Sequence, residues 1–498
     1  MNNKERYIIT IDQSTSATKV MLFDQQASLV DRLGYPHKQF YPEAGFVEHD
    51  PDEIFANTCK GLNAILSKNK LNTPDIAVVA ITNQRETSLI WDKTTGKPIA
   101  NAVVWQCQRG TGFCNQLNEE GLGPAIQEKT GLIIDPYFSA GKLHWLMNHV
   151  PGAKEKAENG DLLVGTIDSW LLWKLTAGEV HATDFSNACR TMLFNIHSLE
   201  WDQELIELCD LQLSMFPEVR FSDQVFGYTD PSVVFDQPLP VAGLLGDSHA
   251  ALFGQNCFER GMAKATYGTG SSIMMNIGHK PLPAPEGLVT SIGWGKSGVI
   301  DYVFEGNIHC TGDAISWLVN DAELINNAAE SESLANSVED SNQVYFVPSF
   351  VGLGAPYWNN QARACISGMA RNTKKAHIVR AALEGIAYQV KDLIDLMTGN
   401  SSVPFCELRV DGGPTRNNFL MQFQSDILRN VVVRNSLEEI SALGATFMAG
   451  LAVGFWNSMA EIQALRQTDK KFEPRMSDKD VERLYDGWKM AVKRSLLT

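Results

Sequence analysis

Two distant stretches of the chain share one pattern of apolar and polar positions. An apolar run, a short turn of small hydroxyl residues and a second apolar run occupy residues 7–23, and the same order recurs at residues 262–276. Each pattern predicts a β-hairpin with a turn rich in Gly, Ser and Thr. Backbone N–H groups and hydroxyls in such a turn bind anions, usually phosphate. We therefore predict two phosphate-binding hairpins in two related halves of the molecule.

An aspartate accompanies each hairpin. Asp12 ends the first apolar run, and Asp247 follows Gly246 shortly before the second hairpin. Either acid alone could simply cap a turn, but hydroxyl residues and Lys19 follow Asp12 directly. We expect the two carboxylates to come from opposite halves and to face each other across a triphosphate and its metal ion. That arrangement is typical of a phosphoryl-transfer enzyme.

Apolar periodicity predicts alternating helices and strands in both halves. A helix beginning near Pro51 precedes a continuously apolar strand at residues 76–82, which is typical of a strand covered on both faces. In the second half, residues 374–397 predict a long helix that is stopped by Gly399. A strand at residues 407–411 and a glycine turn then precede a helix capped at Thr415 or an adjacent residue. This order is typical of an α/β protein.

Length and charge limit the possible functions. A chain of 498 residues exceeds one hydrophobic core, so we predict two domains, residues 1–253 and 254–498. The net charge of −16 argues against nucleic acid or an anionic membrane as a partner. The least polar run, residues 442–456, is shorter than the ~20 residues that a membrane span needs, and its Gly and Ala content predicts a helix packed in a core.

The cysteines indicate the cellular compartment. Nine cysteines are scattered along the chain without a C-x-x-C pair, which favours free thiols and argues against a zinc site. The amino-terminal residues contain no apolar stretch typical of a secretory signal. We therefore expect a cytoplasmic protein.

Two glycine-rich segments resemble other nucleotide-binding motifs without matching them. GWGKSG, residues 293–298, resembles a P-loop, but Thr290 stands where that motif requires its first glycine, and its flanks predict a hairpin. GLGAPY, residues 352–357, lacks the third glycine of a dinucleotide fingerprint.

Arg85 and Glu86 follow the predicted buried strand at its carboxyl end, where ligands of open α/β sheets bind. The two residues could form a surface ion pair. Alternatively, they could form a clamp for a polyhydroxyl substrate, because guanidinium donates hydrogen bonds to hydroxyl oxygens and carboxylate accepts their protons. Trp105 and Tyr137 could form an apolar wall beside this clamp or could belong to the core.

The chain resembles the FGGY family of carbohydrate kinases over nearly its whole length, and within that family it is most similar to the glycerol kinases. The segments that carry the resemblance are YFSAGKLHWLMNH (137–149) and ACISGMARNTKKAHIVRAALE (364–384), which match the two family signatures, together with NQRET, AVVWQCQR, DPYF, NACRTMLFNIH, FVGLGAPYW and NNFLMQFQSDIL. Several independent motifs in the family's order make the resemblance specific.

The resemblance implies an α/β fold of two actin-like ATPase (ribonuclease H-like) domains with a deep interdomain cleft. It implies transfer of the γ-phosphoryl group of ATP to a terminal hydroxyl of a small polyol, with Mg²⁺ as cofactor. Asp12 and Asp247 match the acids near the metal, and Asp247 also matches the catalytic acid that accepts the hydroxyl proton. The matching substrate positions are Arg85, Glu86, Trp105, Tyr137, Asp247, Ser248 and Ser272; the matching nucleotide positions are Thr15, Ser16, Lys19, Thr269, Gly312, Ser316, Gly413 and Asn417. Relatives of this family suggest a homodimer or homotetramer.

The chain departs from the glycerol kinase pattern at several of these positions. The departures are Ser14 for glycine, Lys19 for arginine, Ser248 and His249 for two glutamines, Ser272 for phenylalanine and Ser316 for glutamine. Where small hydroxyl residues replace bulky side chains, they leave space at the substrate end of the site. A longer polyhydroxylated chain would fill this space. We therefore expect glycerol or a relative of three to five carbons as substrate. A ketose kinase of the same family and a non-catalytic actin-like nucleotide-binding regulator remain alternatives, and His249 could be a pocket contact or a packed side chain.

Overall fold

The computed structural model describes residues 6–359, 361–399, 403–435, 437, 439–465 and 468–497. The strands are β1 (Tyr7–Gln13), β2 (Ala17–Phe23), β3 (Leu29–Pro36), β4 (Gln39–Phe40), β5 (Glu48–His49), β6 (Ile76–Asn83), β7 (Ser88–Asp92), β8 (Ala102–Val103), β9 (Leu162–Thr166), β10 (Ala182–Asp184), β11 (Phe194–Asn195), β12 (Glu200–Trp201), β13 (Glu218–Arg220), β14 (Val225–Tyr228), β15 (Pro240–Gly246), β16 (Met262–Tyr267), β17 (Ser271–Gly278), β18 (Val289–Lys296), β19 (Val299–Ile308), β20 (Tyr345–Val347), β21 (Cys365–Ser367), β22 (Glu407–Asp411), β23 (Val432–Asn435) and β24 (Thr468–Phe472). The helices are α1 (Pro51–Asn69), α2 (Thr111–Glu119), α3 (Gly123–Thr130), α4 (Ser139–His149), α5 (Ala153–Glu158), α6 (Ile167–Leu175), α7 (Phe185–Ala188), α8 (Gln203–Leu208), α9 (Asp247–Gly254), α10 (Gly312–Asn320), α11 (Glu330–Asn336), α12 (Lys375–Gly399), α13 (Asn418–Leu428), α14 (Ile440–Ala452), α15 (Met459–Ala464) and α16 (Asp478–Ser495).

Two large sheets repeat one strand plan. The first has the order β14-β15-β6-β1-β2-β3 and the second the order β18-β19-β17-β16-β22-β23-β24. In the first, β1 pairs antiparallel with β2 and parallel with β6, which pairs parallel with β15. In the second, β16 pairs antiparallel with β17 and parallel with β22, which pairs parallel with β23. Both predicted hairpins are confirmed, and each lies at the centre of its sheet.

The ends of several helices and the burial of β6 follow from their local sequences. Helix α1 is capped by Asp50, whose side chain accepts hydrogen bonds from two backbone N–H groups of the first turn, and Ser477 caps α16. Every residue of β6 is buried, as its apolar run predicts. Asn417 caps α13, whereas Thr415 lies in the preceding 3₁₀ turn and donates its hydroxyl to the Gly412 carbonyl.

The glycine-rich segments fold as the sequence predicts. GWGKSG forms the end of β18 and its turn into β19, a hairpin with no phosphate-loop helix among these described residues. Residues 352–357 belong to no helix. Within the described part of the chain, no helix has the length and hydrophobicity needed to cross a bilayer.

Helix α14 belongs by its contacts to the first sheet, although it lies late in the sequence. It packs against β1, β6 and β15 and against α9, and the hydroxyls of Thr446 and Thr10 lie 2.6 Å apart. The predicted core helix is thereby confirmed. The division into residues 1–253 and 254–498 stays a prediction. A single boundary assigns α14 to the second part, although this helix packs against the first sheet.

Helices α9 and α14 approach closely at Gly254 and Gly444. A Cβ added at Gly444 would lie 1.8 Å from the Ala250 carbonyl oxygen. Because Asp247 begins α9, this contact also sets the position of the predicted catalytic carboxylate.

We expect Gly444→Ala to lower the free energy of unfolding by about 2–4 kcal/mol, because backbone cannot yield to the added methyl group. Chemical denaturation measures this loss. Gly112→Ala on α2, where an added Cβ meets nothing within 4 Å, serves as the control and should leave stability unchanged or raise it by up to about 1 kcal/mol. Equal stability of the two variants would contradict the prediction.

Candidate active site

Asp12 and Asp247 lie at the same edge of one sheet. Asp12 pairs in register with Thr82 of β6, and Gly246 of β15 pairs with Asn83 of the same strand, so Asp247 directly follows the paired residues. One strand separates the two acids, which corresponds to roughly 10 Å across the sheet. The expectation that the acids come from opposite halves is therefore wrong, because the strand before α9 completes the first sheet.

Burial dominates the electrostatics of Asp12. The residue is 7% exposed, and burial raises the pKa of its carboxyl to about 7, against the lowering effect of Lys19. The negative charges of Glu439 and Asp247 raise it further. Lys19 Nζ lies 3.7 Å from an Asp12 oxygen and 2.8 Å from Glu439. The charge of Asp247 thus acts on Asp12, and Lys19 interacts with both Asp12 and Glu439.

Asp247 is the more accessible carboxylate, with 40% of its side chain exposed. Its Oδ1 accepts hydrogen bonds from Arg85 Nε at 3.1 Å and from the Ser248 backbone N–H at 2.6 Å. One oxygen is thereby oriented by the protein, and the carboxylate can still meet a substrate hydroxyl.

Arg85 and Glu86 are both buried, so the surface ion pair is excluded. Arg85 is 5% exposed and Glu86 is 1% exposed. Glu86 has a φ of 62°, a left-handed conformation that a non-glycine residue rarely adopts. Its carboxylate accepts a hydrogen bond from Arg190 Nε at 2.6 Å, and the Arg85 guanidinium binds Glu305. The clamp residues therefore bind other partners and not each other.

Trp105 and Tyr137 form one aromatic wall beside the clamp. Their ring centroids lie 5.5 Å apart at an interplanar angle of 68°. Trp105 Nε1 donates a hydrogen bond of 3.0 Å to Thr15 Oγ1, which connects the wall to the turn of the first hairpin. The buried Lys142 ammonium donates to the backbone carbonyls of residues 136–138 and so fixes the loop that carries Tyr137.

A polar cluster at the second hairpin faces this side of the molecule. Lys264, which is fully buried, donates from Nζ to Thr266 Oγ1 at 3.2 Å and lies 3.4 Å from Ser272 Oγ. Burial lowers the pKa of its ammonium. Ser272 and Ser248 are both half-buried, as expected for residues at the rim of a pocket.

His249 is an interior side chain. It has no exposed surface, and among the described residues neither ring nitrogen has a hydrogen-bond partner. Burial and then the charge of Arg85 hold the pKa of its imidazole well below its ordinary value. The packed-histidine interpretation is therefore correct.

A cavity of about 760 Å³ collects most of the predicted nucleotide residues. It is lined by Thr269, Gly312, Ser316, Gly413 and Asn417, together with apolar side chains such as Ile315, Leu383 and Leu420. Apolar walls with a few polar groups suit a base and ribose. Thr15, Ser16 and Lys19 do not line this cavity and lie on the first hairpin, beside Asp12.

Three residues of the site, Arg190, Lys264 and Glu305, were not predicted from the sequence. Arg190 and Glu305 are each 1% exposed and bind the clamp residues. For Glu305, the available local signal is a carboxylate in the middle of the apolar strand VFEGNI.

Comparison with known proteins identifies the family of the chain. The FGGY family of carbohydrate kinases, N-terminal domain, matches residues 7–254, and the C-terminal domain of the same family matches residues 263–453. Glycerol kinase of Thermoanaerobacter sp. (strain X514) is 50% identical over 491 residues, which cover 99% of each chain. Glycerol kinase 1 of Thermotoga maritima is 50% identical over 492 residues, covering 99% of this chain and all of the relative.

Solved structures confirm the fold class of two actin-like ATPase domains. The structure of Plasmodium falciparum glycerol kinase with ADP superposes with a TM-score of 0.94 at 36% identity and covers 99% of both chains. Ligand-bound xylulose kinase from Lactobacillus acidophilus superposes with a TM-score of 0.89 at 21% identity, a likeness of fold alone. The chain belongs to the FGGY family of carbohydrate kinases and is an ATP-dependent kinase of the polyol and carbohydrate class.

Proposed function

We propose that the protein transfers the γ-phosphoryl group of ATP to a terminal hydroxyl of glycerol or of a close polyol of three to five carbons. The observation that carries the proposal is the hydrogen bond between Arg85 and Asp247, with Glu86 next to Arg85 in sequence. Donor and acceptor groups side by side recognise adjacent hydroxyls, and the aromatic wall of Trp105 and Tyr137 covers carbon-bound hydrogens. Full-length similarity to glycerol kinases supports the same substrate class.

Asp247 is the proposed general base. Phosphoryl transfer leaves the protein mainly to position the reactants and to balance charge. Asp247 holds the attacking hydroxyl through its accessible oxygen and accepts the proton as that hydroxyl attacks phosphorus. Arg85 keeps the carboxylate oriented during this step through the hydrogen bond from its Nε to Asp247 Oδ1.

The nucleotide is proposed to extend from the 760 Å³ cavity toward the two hairpins. Thr269, Gly312, Gly413 and Asn417 surround its base, ribose and phosphates, with Ser316 at the rim. Thr15, Ser16 and Lys19 of the first hairpin contact its phosphates.

Mg²⁺ is proposed to bind beside Asp12, with Asp247 on its other side. The described residues contain no cluster of three His, Cys, Asp or Glu side chains that could enclose a metal ion. Two carboxylates with an open position between them fit Mg²⁺, which usually takes one or two carboxylates together with substrate phosphates. When bound, the ion neutralises charge on the phosphates.

Ser272 favours a second candidate substrate class, longer polyols or ketoses of the xylulose and ribulose type. A serine hydroxyl next to the Lys264 ammonium offers polar contacts to further hydroxyls. A non-catalytic regulator is disfavoured, because Asp12, Asp247 and both hairpins are all in place. We also propose a cytoplasmic homodimer or homotetramer that needs neither nucleic acid nor membrane. Its nine cysteines, all described and all free thiols, are typical of a reducing compartment.

We expect Asp247→Asn to reduce turnover by on the order of 10²–10⁴-fold, because the amide cannot accept the hydroxyl proton. ADP release with ATP and glycerol measures turnover, and calorimetric titration of ADP should give an affinity close to that of the wild type. Near-normal turnover in this variant would reject the assignment of the base.

We expect Ser272→Phe to shift substrate preference toward glycerol by about tenfold or more, because a phenyl ring fills the space that a fourth or fifth carbon would occupy. The ratio of kcat/KM for glycerol to kcat/KM for tetritols, pentitols and ketoses measures this preference. Ser316→Gln in the nucleotide cavity is the control and should leave the ratio unchanged. An unchanged ratio in Ser272→Phe would remove Ser272 from the substrate site.

We expect Asp12→Asn to inactivate the enzyme and to stabilise it by about 1–3 kcal/mol at pH 8. Burial raises the pKa of Asp12 from its ordinary value of 3.8 to about 7 in the folded state. The folded protein therefore holds this proton more tightly than the unfolded chain, and ionised Asp12 lowers stability above pH 7. The loss fades as the pH falls toward 4, so the two proteins should become equally stable there.

Urea denaturation at pH 4 and pH 8 measures this difference. Asp31→Asn is the control with the opposite sign, because hydrogen bonds from Lys68 and Asn69 outweigh burial and lower the pKa of Asp31. That variant should lose stability at pH 8. Equal stability of Asp12→Asn and the wild type at pH 8 would contradict the prediction.

A further inference from the structure

Four buried charged side chains form a continuous network of ion pairs that connects the two family domains. Arg85, Glu86 and Arg190 lie within residues 7–254, whereas Glu305 lies on β19 within residues 263–453. Arg85 Nη1 and Nη2 donate to the two Glu305 carboxylate oxygens at 3.0 and 2.9 Å. Arg190 Nη1 lies 2.9 Å from Glu305 Oε2, and Arg190 Nε donates to Glu86 at 2.6 Å.

Because this network is buried, each of its ion pairs is needed to compensate the charges of the others. No member is more than 5% exposed, and two guanidinium groups balance two carboxylates. A buried ion is tolerated only when it is paired and hydrogen-bonded, and loss of one partner leaves the others without compensation. Both oxygens of Glu305 are occupied, and the two arginines hold the pKa of its carboxyl far below the ordinary range against the effect of burial.

Glu305 determines where both clamp residues point. It binds the Nη edge of Arg85, which leaves Nε to donate to Asp247 at 3.1 Å. It also holds Arg190, whose Nε in turn holds the Glu86 carboxylate. Without Glu305, Arg85 is free to turn its fork toward Asp247, and Arg190 loses the partner that orients it.

We infer that Glu305 is a positioning residue that assembles the polyol clamp only when the two domains are arranged as in this structure. The inference rests on the proposed function, since it takes Arg85, Glu86 and Asp247 as the polyol site. Polyol binding and the arrangement of the two domains then form one equilibrium, in which the substrate favours the arrangement that has an ordered clamp.

The same strand links the clamp to the nucleotide cavity. β19 ends at Ile308, and α10 begins four residues later at Gly312, which lines the cavity. The Gly312 backbone N–H also donates to the Gly268 carbonyl in the turn of the second hairpin at 2.9 Å. Glu305 thus lies seven residues before Gly312 of the nucleotide cavity, so we expect the polyol and the nucleotide to bind cooperatively.

Glu305→Gln tests the inference because it keeps the shape of the side chain and removes its charge. We expect the KM for glycerol to rise and kcat/KM to fall by on the order of 10–100-fold, as a misplaced clamp predicts. ADP affinity without polyol should stay within about twofold of the wild type, and the factor by which ADP raises glycerol affinity should fall toward one. Small-angle X-ray scattering should show a larger radius of gyration for the ligand-free variant.

Glu384→Gln is the matched control. Glu384 is likewise a buried carboxylate of the second domain, 2% exposed and paired with Arg380 at 2.8 Å, but it binds neither Arg85 nor Arg190. This variant should lose stability without a change in glycerol KM or in the coupling between ligands. Arg190→Lys is the second variant and decides the question if Glu305→Gln does not fold. It keeps the charge, loses the planar fork, and should raise glycerol KM in the same way.

The possible results separate the inference from the proposed function. A wild-type enzyme that phosphorylates none of the polyols overturns the proposed function, and the scattering comparison still tests whether Glu305 holds the two domains in this arrangement. Unchanged glycerol KM and unchanged radius of gyration in folded Glu305→Gln, or unchanged KM in Arg190→Lys, would overturn the inference. An equal loss of ADP and glycerol affinity would also overturn it, since a merely structural role predicts that result.

Discussion

The hydrogen-bond register of three parallel strands determines where the chemistry of this protein lies. β1, β6 and β15 are paired so that Asp12, Asn83 and Gly246 reach the same edge of one sheet. Ligands of open parallel sheets bind at this carboxyl edge, because the strands end there together and helices begin beyond them. A slip of one residue in either pairing would turn a carboxylate to the other face of the sheet. The proposed base, the proposed polyol clamp and the proposed metal site all depend on this alignment.

The first domain contains most groups of the proposed polyol site, and Glu305 of the second domain orients Arg85 and Arg190. Arg85 and Glu86 follow a strand whose whole length is buried, so their charges lie close to the interior. Such a position is costly unless other charges compensate. Glu305 and Arg190 provide the compensation, and Glu305 does so from across the domain boundary. The ion pairs of the proposed substrate site therefore depend on how the two domains are arranged.

The sequence predicts those features that neighbouring residues determine. The two hairpins, the buried strand β6, the helix beginning near Pro51 and the hairpin at residues 293–298 each depend on short contiguous patterns, and each is confirmed. The origin of Asp247 in the first sheet depends on which strands pair, and its assignment to the opposite half was wrong. The partners of the clamp were missed for a similar reason. Arg85 and Glu305 are 220 residues apart, and Glu86 and Arg190 are 104 apart.

Two of the residues at which the sequence departs from the glycerol kinase pattern, Ser272 and His249, lie near the buried Lys264. Ser272 Oγ lies 3.4 Å from the ammonium of the buried Lys264, and His249 adds a buried imidazole to the same interior region. Polar groups removed from water need partners, and an aromatic ring in place of Ser272 would deprive Lys264 of one. The serine is thus compatible with the lysine in the free protein and offers its hydroxyl to a substrate as well. Polarity at position 272 follows from the buried charge of Lys264 beside it, so the proposed substrate preference and the stability of the interior depend on the same pair of residues.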